Sequence, residues 1–148
     1  PCELELRVGS CARFNLKYWR RLRELLRLHG HKVSAVRVRQ AKGHLHPDAL
    51  AGLRDMLPAS VRSLDLSWAL PGARGLLILA VSPPSGLERL ELRACVDNGH
   101  EFASALAELL RRAPGVEHVH ATGAWGGAER AARELCAAAA GSCDLALA

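Results

Sequence analysis

The chain has 148 residues, 49% hydrophobic and 24% charged, a balance that can bury one core and excludes a disordered chain and most two-domain enzymes. Lys and Arg number 20 against 15 Asp and Glu, a formal charge of +5, and only Lys17, Lys32 and Lys42 are lysines. The longest apolar runs, such as Gly75 to Val81, fall far short of the roughly 18–20 residues a membrane span needs, and no basic start leads into an apolar signal region.

An arginine-rich surface suits acidic proteins or nucleic acid, because guanidinium pairs bidentately with carboxylate and phosphate. An excess of five on this length is ordinary, which disfavours nucleic acid as the partner. The five cysteines (Cys2, Cys11, Cys95, Cys136, Cys143) are odd in number and form no CxxC pair. They therefore read as reduced thiols in a cytoplasmic protein rather than a disulfide framework or zinc site. The chain opens on Pro1 and closes inside an alternating run, so residues 1–148 read as a single domain, whole or cut from a longer protein.

In chain order, alternating apolar positions mark a first strand at Leu4 and Leu6. The spacing then changes to about 3.6, with Phe14, Tyr18, Trp19, Leu22, Leu25 and Leu26 on one helical stripe and Lys17, Arg20, Glu24 and Arg27 opposite. A second strand has the spacing L-x-x-L-x-L at Val33, Val36 and Val38. Pro47 can open the next helix, its inner face Ala49, Leu50, Leu53, Met56 and Leu57, and Pro58 ends it. The strand spacing returns at Val61, Leu64 and Leu66, and a helix follows with Ala73, Leu76, Leu77 and Ala80 inward, before Pro83–Pro84. It returns again at Leu87, Leu90 and Leu92. Asn98 and Glu101 then stand at capping-box spacing ahead of Phe102, Ala103, Leu106, Leu109 and Leu110. A weaker strand at Val116, Val119 and Ala121 precedes a helix from Ala128 to the alanines at 137–140, and Leu145 and Leu147 close the chain.

Val33, Val61, Leu87 and Val116 thus recur at 28, 26 and 29 residues. One strand and one helix cannot cover their own apolar faces, so the units are expected to stack into a right-handed arc. The predicted class is α/β, a solenoid of about five to six units with a parallel sheet on the concave face and helices on the convex face.

The segment from Leu87 to Val119, LERLELRACVDNGHEFASALAELLRRAPGVEHV, resembles the leucine-rich repeats of the ribonuclease-inhibitor-like class, as does Val61 to Leu66 with its preceding LPAS. At the ninth position, where that class carries Asn or Cys, only Cys95 fits, and Ala41, Ala69 and Ala124 hold the equivalent places. The turn amides are then expected to bond to water or backbone. The resemblance implies a non-catalytic protein-interaction scaffold in the cytoplasm, with no cofactor.

Residues alternating with the buried strand positions form three columns on the open face. The middle one is Glu5, Arg37, Asp65, Glu91, His120; the flanking ones are Arg7, Arg39, Ser67, Arg93, Thr122 and Glu3, Ala35, Ser63, Arg89, His118. Alternating sign along Glu5, Arg37 and Asp65 favours cross-strand pairing, worth about 0.2–1 kcal/mol per pair. The candidate partner-binding residues are Arg37, Arg39, Asp65, Arg89, Glu91, Arg93, His118 and His120, with Trp68 and Trp125 either rimming that surface or filling the turns after their strands. The bland alternative is a solvated sheet face.

Other segments carry residues that admit a chemical reading beside a structural one. His44-Leu45-His46-Pro47-Asp48 has the HxHxD spacing of metallo-β-lactamase-like hydrolases, but Ala49 stands where that family expects another His, and His46-Pro47-Asp48 reads better as a helix start. His118 and His120 share a side and could hold a metal with Glu91; Cys95 with His100 is a weak nucleophile and base pair. The basic first helix suits a membrane surface or an acidic partner helix, yet its apolar stripe is needed for the core. The expected partner is another protein with an acidic or mixed-charge surface, not a membrane, and uncapped sheet edges invite self-association. The alternatives are the recognition arm of a larger protein, such as a ubiquitin-ligase substrate receptor, immune sensor or GTPase regulator, and, remotely, a metal-dependent hydrolase.

Overall fold

Alternating and 3.6-residue apolar spacings do produce alternating strands and helices. The computed structural model describes residues 2–8, 16–40, 44–141 and 143–148. Strand β1 (Cys2–Val8) precedes helix α1 (Leu16–His29), a 3-10 turn (Gly30–Lys32) and β2 (Val33–Gln40). Then follow α2 (Pro47–Met56), β3 (Ser63–Asp65), α3 (Gly72–Val81), β4 (Arg89–Val96), α4 (Gly99–Arg112), β5 (His118–Gly123), α5 (Glu129–Ala140) and β6 (Asp144–Leu147). The six strands form one parallel sheet in sequential order, β1 to β6. Leu4, Val36, Leu64, Leu90, Val119 and Leu145 lie in register across it. No described helix is long and apolar enough to cross a membrane.

One face of the sheet carries the core. Val36, Val38, Leu64, Leu66, Leu90, Leu92, Val119 and Ala121 are buried and join one apolar cluster with helix residues such as Leu50, Leu53, Leu76, Phe102, Leu106 and Cys136. Burying each large aliphatic side chain contributes about 1.5–3 kcal/mol, so the sheet and helices stabilise each other through this single interface. Helices α3, α4 and α5 pack most extensively on their chain neighbours, whereas α1 touches α2 only slightly.

Local chemistry explains the helix ends, with some departures from expectation. Pro47 stands at the first turn of α2 and the His46 ring Nδ1 accepts from the Asp48 N–H at 3.1 Å, so the HxHxD segment is built as a cap. Asn98 Oδ1 accepts from the Glu101 N–H at 3.4 Å, but Asn98 N–H donates to Asp97 Oδ1, so Asp97 takes the place of the reciprocal Glu101 contact of a capping box. In α3 the inward face is Gly75, Leu76, Leu79 and Ala80, and Leu77 is exposed. The approach is close at Gly75, where a Cβ would lie 2.8 Å from Pro71 Cβ and 3.0 Å from Leu50 Cδ2. In α1, Leu22 and Leu26 are buried but Leu25 is exposed, a stripe narrower than the spacing predicts. Phe14, Ala41 and the side chains of Lys17 and Tyr18 lie outside the described residues.

Candidate functional site

The opposite face of the sheet holds the charged columns, and strand pairing aligns two of the three as expected. Glu5, Arg37, Asp65, Glu91 and His120 are successive partners, as are Glu3, Ala35, Ser63, Arg89 and His118. In the third column Arg7 pairs with Arg39, and Ser67 meets Arg93 through a side-chain bond, the Arg93 N–H donating to Ser67 Oγ at 3.0 Å. Ser67 is buried and lines the floor of this face.

The ion pairs only partly follow the alternation of sign. Arg37 Nε lies 3.2 Å from Asp65 Oδ2 across the strand gap, but its second carboxylate is Glu3, also at 3.2 Å, not Glu5. Glu5 is occupied along its own strand by Arg7 at 2.8 Å. The hydrogen bond donated by Arg7 holds the Glu5 carboxyl below its ordinary range, with Arg39 and Arg37 adding to the field. Glu91 Oε2 sits 3.4 Å from Arg93 Nε and 3.3 Å from His120 Nδ1. Neither Arg37 Nε nor Glu91 Oε2 has a well-directed hydrogen bond although both atoms are buried. The half-exposed pairs of Arg37 and Glu91 contribute at most about 1 kcal/mol each.

Between β2, β3 and β4 the face dips into a depression of about 360 Å³. Arg37, Arg39, Arg89 and Arg93 line it against Glu3, Asp65 and Glu91, with Trp68 at its rim. The fold thus gathers seven of the ten candidate residues. His118 and His120 stand apart, His118 facing Asp144 at 3.4 Å and His120 facing Glu91. Trp125 is a correction: it is buried, edge-on to Phe102 with centroids 5.8 Å apart, and its indole N–H donates to the Ala148 carbonyl at 3.0 Å. It fills a turn and has no surface to offer a partner. Glu3, which reasoning on the columns left out of the site, belongs to it; its register with Ala35 on β2, beside Arg37, was the available signal.

Backbone carbonyls satisfy several amides where the strands end, as expected: Trp68 N–H donates to the Arg93 carbonyl, Ala69 N–H to the Leu66 carbonyl and Ala124 N–H to the Val96 carbonyl. Side-chain oxygens serve the irregular end of β4 as well: Ser67 Oγ accepts from the Arg93 N–H and Thr122 Oγ1 from the Ala94 N–H at 2.8 Å. Cys95, in the same irregular stretch of β4, is buried, its thiol donating to the Leu66 carbonyl at 3.2 Å. Burial pushes that thiol up to about 11, and does the same to Cys136. Thiolate is the reactive form, so at pH 8 in the native protein iodoacetamide is expected to label exposed Cys2 and to spare Cys95 and Cys136. Peptide mapping by mass spectrometry checks this; rapid native labelling of Cys95 would contradict its burial.

Among the described residues no group of three or more His, Cys, Asp and Glu side chains converges as a metal site. His46 faces the start of α2, whereas His44 Nδ1 lies 3.3 Å from the Leu70 carbonyl, so the two rings serve different neighbours. No known protein family, curated protein or solved structure matches this chain. What the depression offers chemically is guanidinium and carboxylate groups for ion pairing beside one aromatic surface.

Proposed function

We propose that this chain is a protein-interaction module of leucine-rich-repeat type, a right-handed βα solenoid that binds a partner on its open sheet face without catalysing a reaction. The sequential order of six parallel strands in register supports the solenoid reading, because each strand and helix finds its cover on the next. The observation that carries the binding reading is the depression: four arginines, three carboxylates and an exposed tryptophan meet over one small area of the sheet. Interface cores favour Arg and Trp, and interleaved charge selects a partner of complementary pattern.

The test reverses charge where no core residue is touched. Chain carrying Arg39→Glu, Arg89→Glu and Arg93→Glu is compared with wild type in cross-linked capture from cell extract, with circular dichroism confirming that both fold. Partners captured by wild type are expected to fall at least about tenfold. Equal capture by the variant would remove the binding site from this face.

A further inference from the structure

Trp68 is 67% exposed and stands on left-handed backbone at φ 65°, a conformation bulky residues adopt only under constraint. Leu70 (φ 48°) in the same turn and Ala94 (φ 53°) in the irregular end of β4 share that region. Hydrogen bonds impose the constraint. Ser67 N–H donates to Asp65 Oδ1, Trp68 N–H to the Arg93 carbonyl and Ala69 N–H to the Leu66 carbonyl, all within 3.0 Å, and Ala69 is buried. The main chain on both sides of Trp68 is therefore tied down, while the indole itself contributes little burial. Strain held at an exposed aromatic is characteristic of a contact made to something else.

Charge identifies what that contact is. Arg37 is shared by Glu3 and Asp65, and Arg93 faces Glu91. Among the described residues no carboxylate forms an ion pair with Arg39 or Arg89, yet both line the same depression as Trp68. From these observations we infer that the depression receives an extended acidic segment of a partner protein, two of its carboxylates on Arg39 and Arg89 and a bulky apolar side chain against Trp68.

This inference rests on the binding reading above and specifies the ligand. Ala35 on β2 is the register partner of Ser63, which pairs with Arg89, and Arg39 lies four residues beyond Ala35. Two strand spacings across and four residues along place the two arginines about 16 Å apart at Cα. Side chains four apart on an extended chain point the same way and span about 13 Å, a gap the flexible arginines close. The recognised pattern is acid-x-x-x-acid, with an apolar residue within two positions of the acid at Arg39. A nucleic acid fits worse, since Glu3, Asp65 and Glu91 would face its continuous phosphates.

Selection of a short random-peptide display library on the intact chain tests this. The expected result is an acidic consensus with that spacing and an apolar residue. Its binding should fall at least about 30-fold in Trp68→Gly and in Arg39→Glu/Arg89→Glu. It should be unchanged in the control Arg74→Glu, an exposed site on α3 outside the depression. Trp68→Gly removes the left-handed strain, so its melting temperature is expected to hold or rise by about 2–4 °C; a fall of several degrees would make Trp68 a packing residue and overturn the inference. Peptides that bind the arginine face without an acidic consensus, or independently of Trp68, would overturn the inference and leave the interaction reading standing. So would a single-stranded oligonucleotide that binds more tightly than the peptides and competes with them. Enrichment of no sequence, or only of sequences indifferent to the arginine reversal, would overturn both.

Discussion

Trp125→Ala is expected to destabilise the fold by about 3–5 kcal/mol, measured by urea unfolding followed by circular dichroism. The side chain is 2% exposed, so truncation leaves a cavity lined by backbone and by Phe102, whose ring lies at 88° to the indole. Loss of that edge-to-face pair accounts for roughly 0.5–1.5 kcal/mol of the total. The indole N–H also holds the Ala148 carbonyl, which accepts from Gly123 N–H as well, so the substitution loosens β6 where it closes the sheet. Trp125→Phe separates the two contributions, since it keeps a ring against Phe102 and loses only the N–H. Natural domains have about 5–15 kcal/mol of stability in all, and Trp125→Ala would therefore leave a marginal protein. A change below about 1 kcal/mol would mean that the turn collapses freely and that Trp125 is not the keystone of this end of the core.

Strand positions and register were legible because two signals coincide: alternation of apolar residues within each strand and their return after 26 to 29 residues. A slip of one residue in any strand would have turned its leucines to solvent, and so the side chains opposite Val36, Leu64, Leu90 and Val119 could be named in advance. The charged columns followed from the same register. What the charges do with one another was not legible, because ion pairing depends on side-chain reach: Arg7 takes Glu5 within one strand, which frees Arg37 for Glu3. Helix faces were readable where a full stripe existed, as in α4, and misread in α3, where four consecutive apolar residues, Leu76 to Leu79, carry no period. Turn geometry was the least visible. Trp68, Leu70 and Ala94 occupy left-handed backbone without a glycine to announce it. The two tryptophans that follow strands have opposite fates, Trp68 exposed and Trp125 buried, because Phe102 and Ala148, both distant in sequence, supply a pocket for only one of them.

Gly99→Ala is expected to cost at least about 3 kcal/mol, at the upper end of what overpacking does, although it adds one methyl group. Gly99 opens α4, and a Cβ there would lie 1.9 Å from the Trp125 carbonyl oxygen, 2.6 Å from its carbon and 2.9 Å from the Ala128 Cβ. The first two are backbone atoms, which no rotamer change can move aside. Either α4 lifts from the Trp125 turn or the turn moves outward and draws the indole from its place on Phe102, and both routes open the core. Backbone freedom is not the cause, since Gly99 is not among the positive-φ glycines; close approach is. Gly126→Ala provides the contrast: its φ is +61° but nothing lies within 4 Å of a Cβ, so only the left-handed cost of about 1–2 kcal/mol is expected. Adding Trp125→Ala should not rescue Gly99→Ala, because the clashing carbonyl remains in the double variant. Thermal denaturation of the two glycine variants in parallel decides the matter: equal losses at both positions would show that the approach of α4 to the Trp125 turn is not as close as 1.9 Å implies.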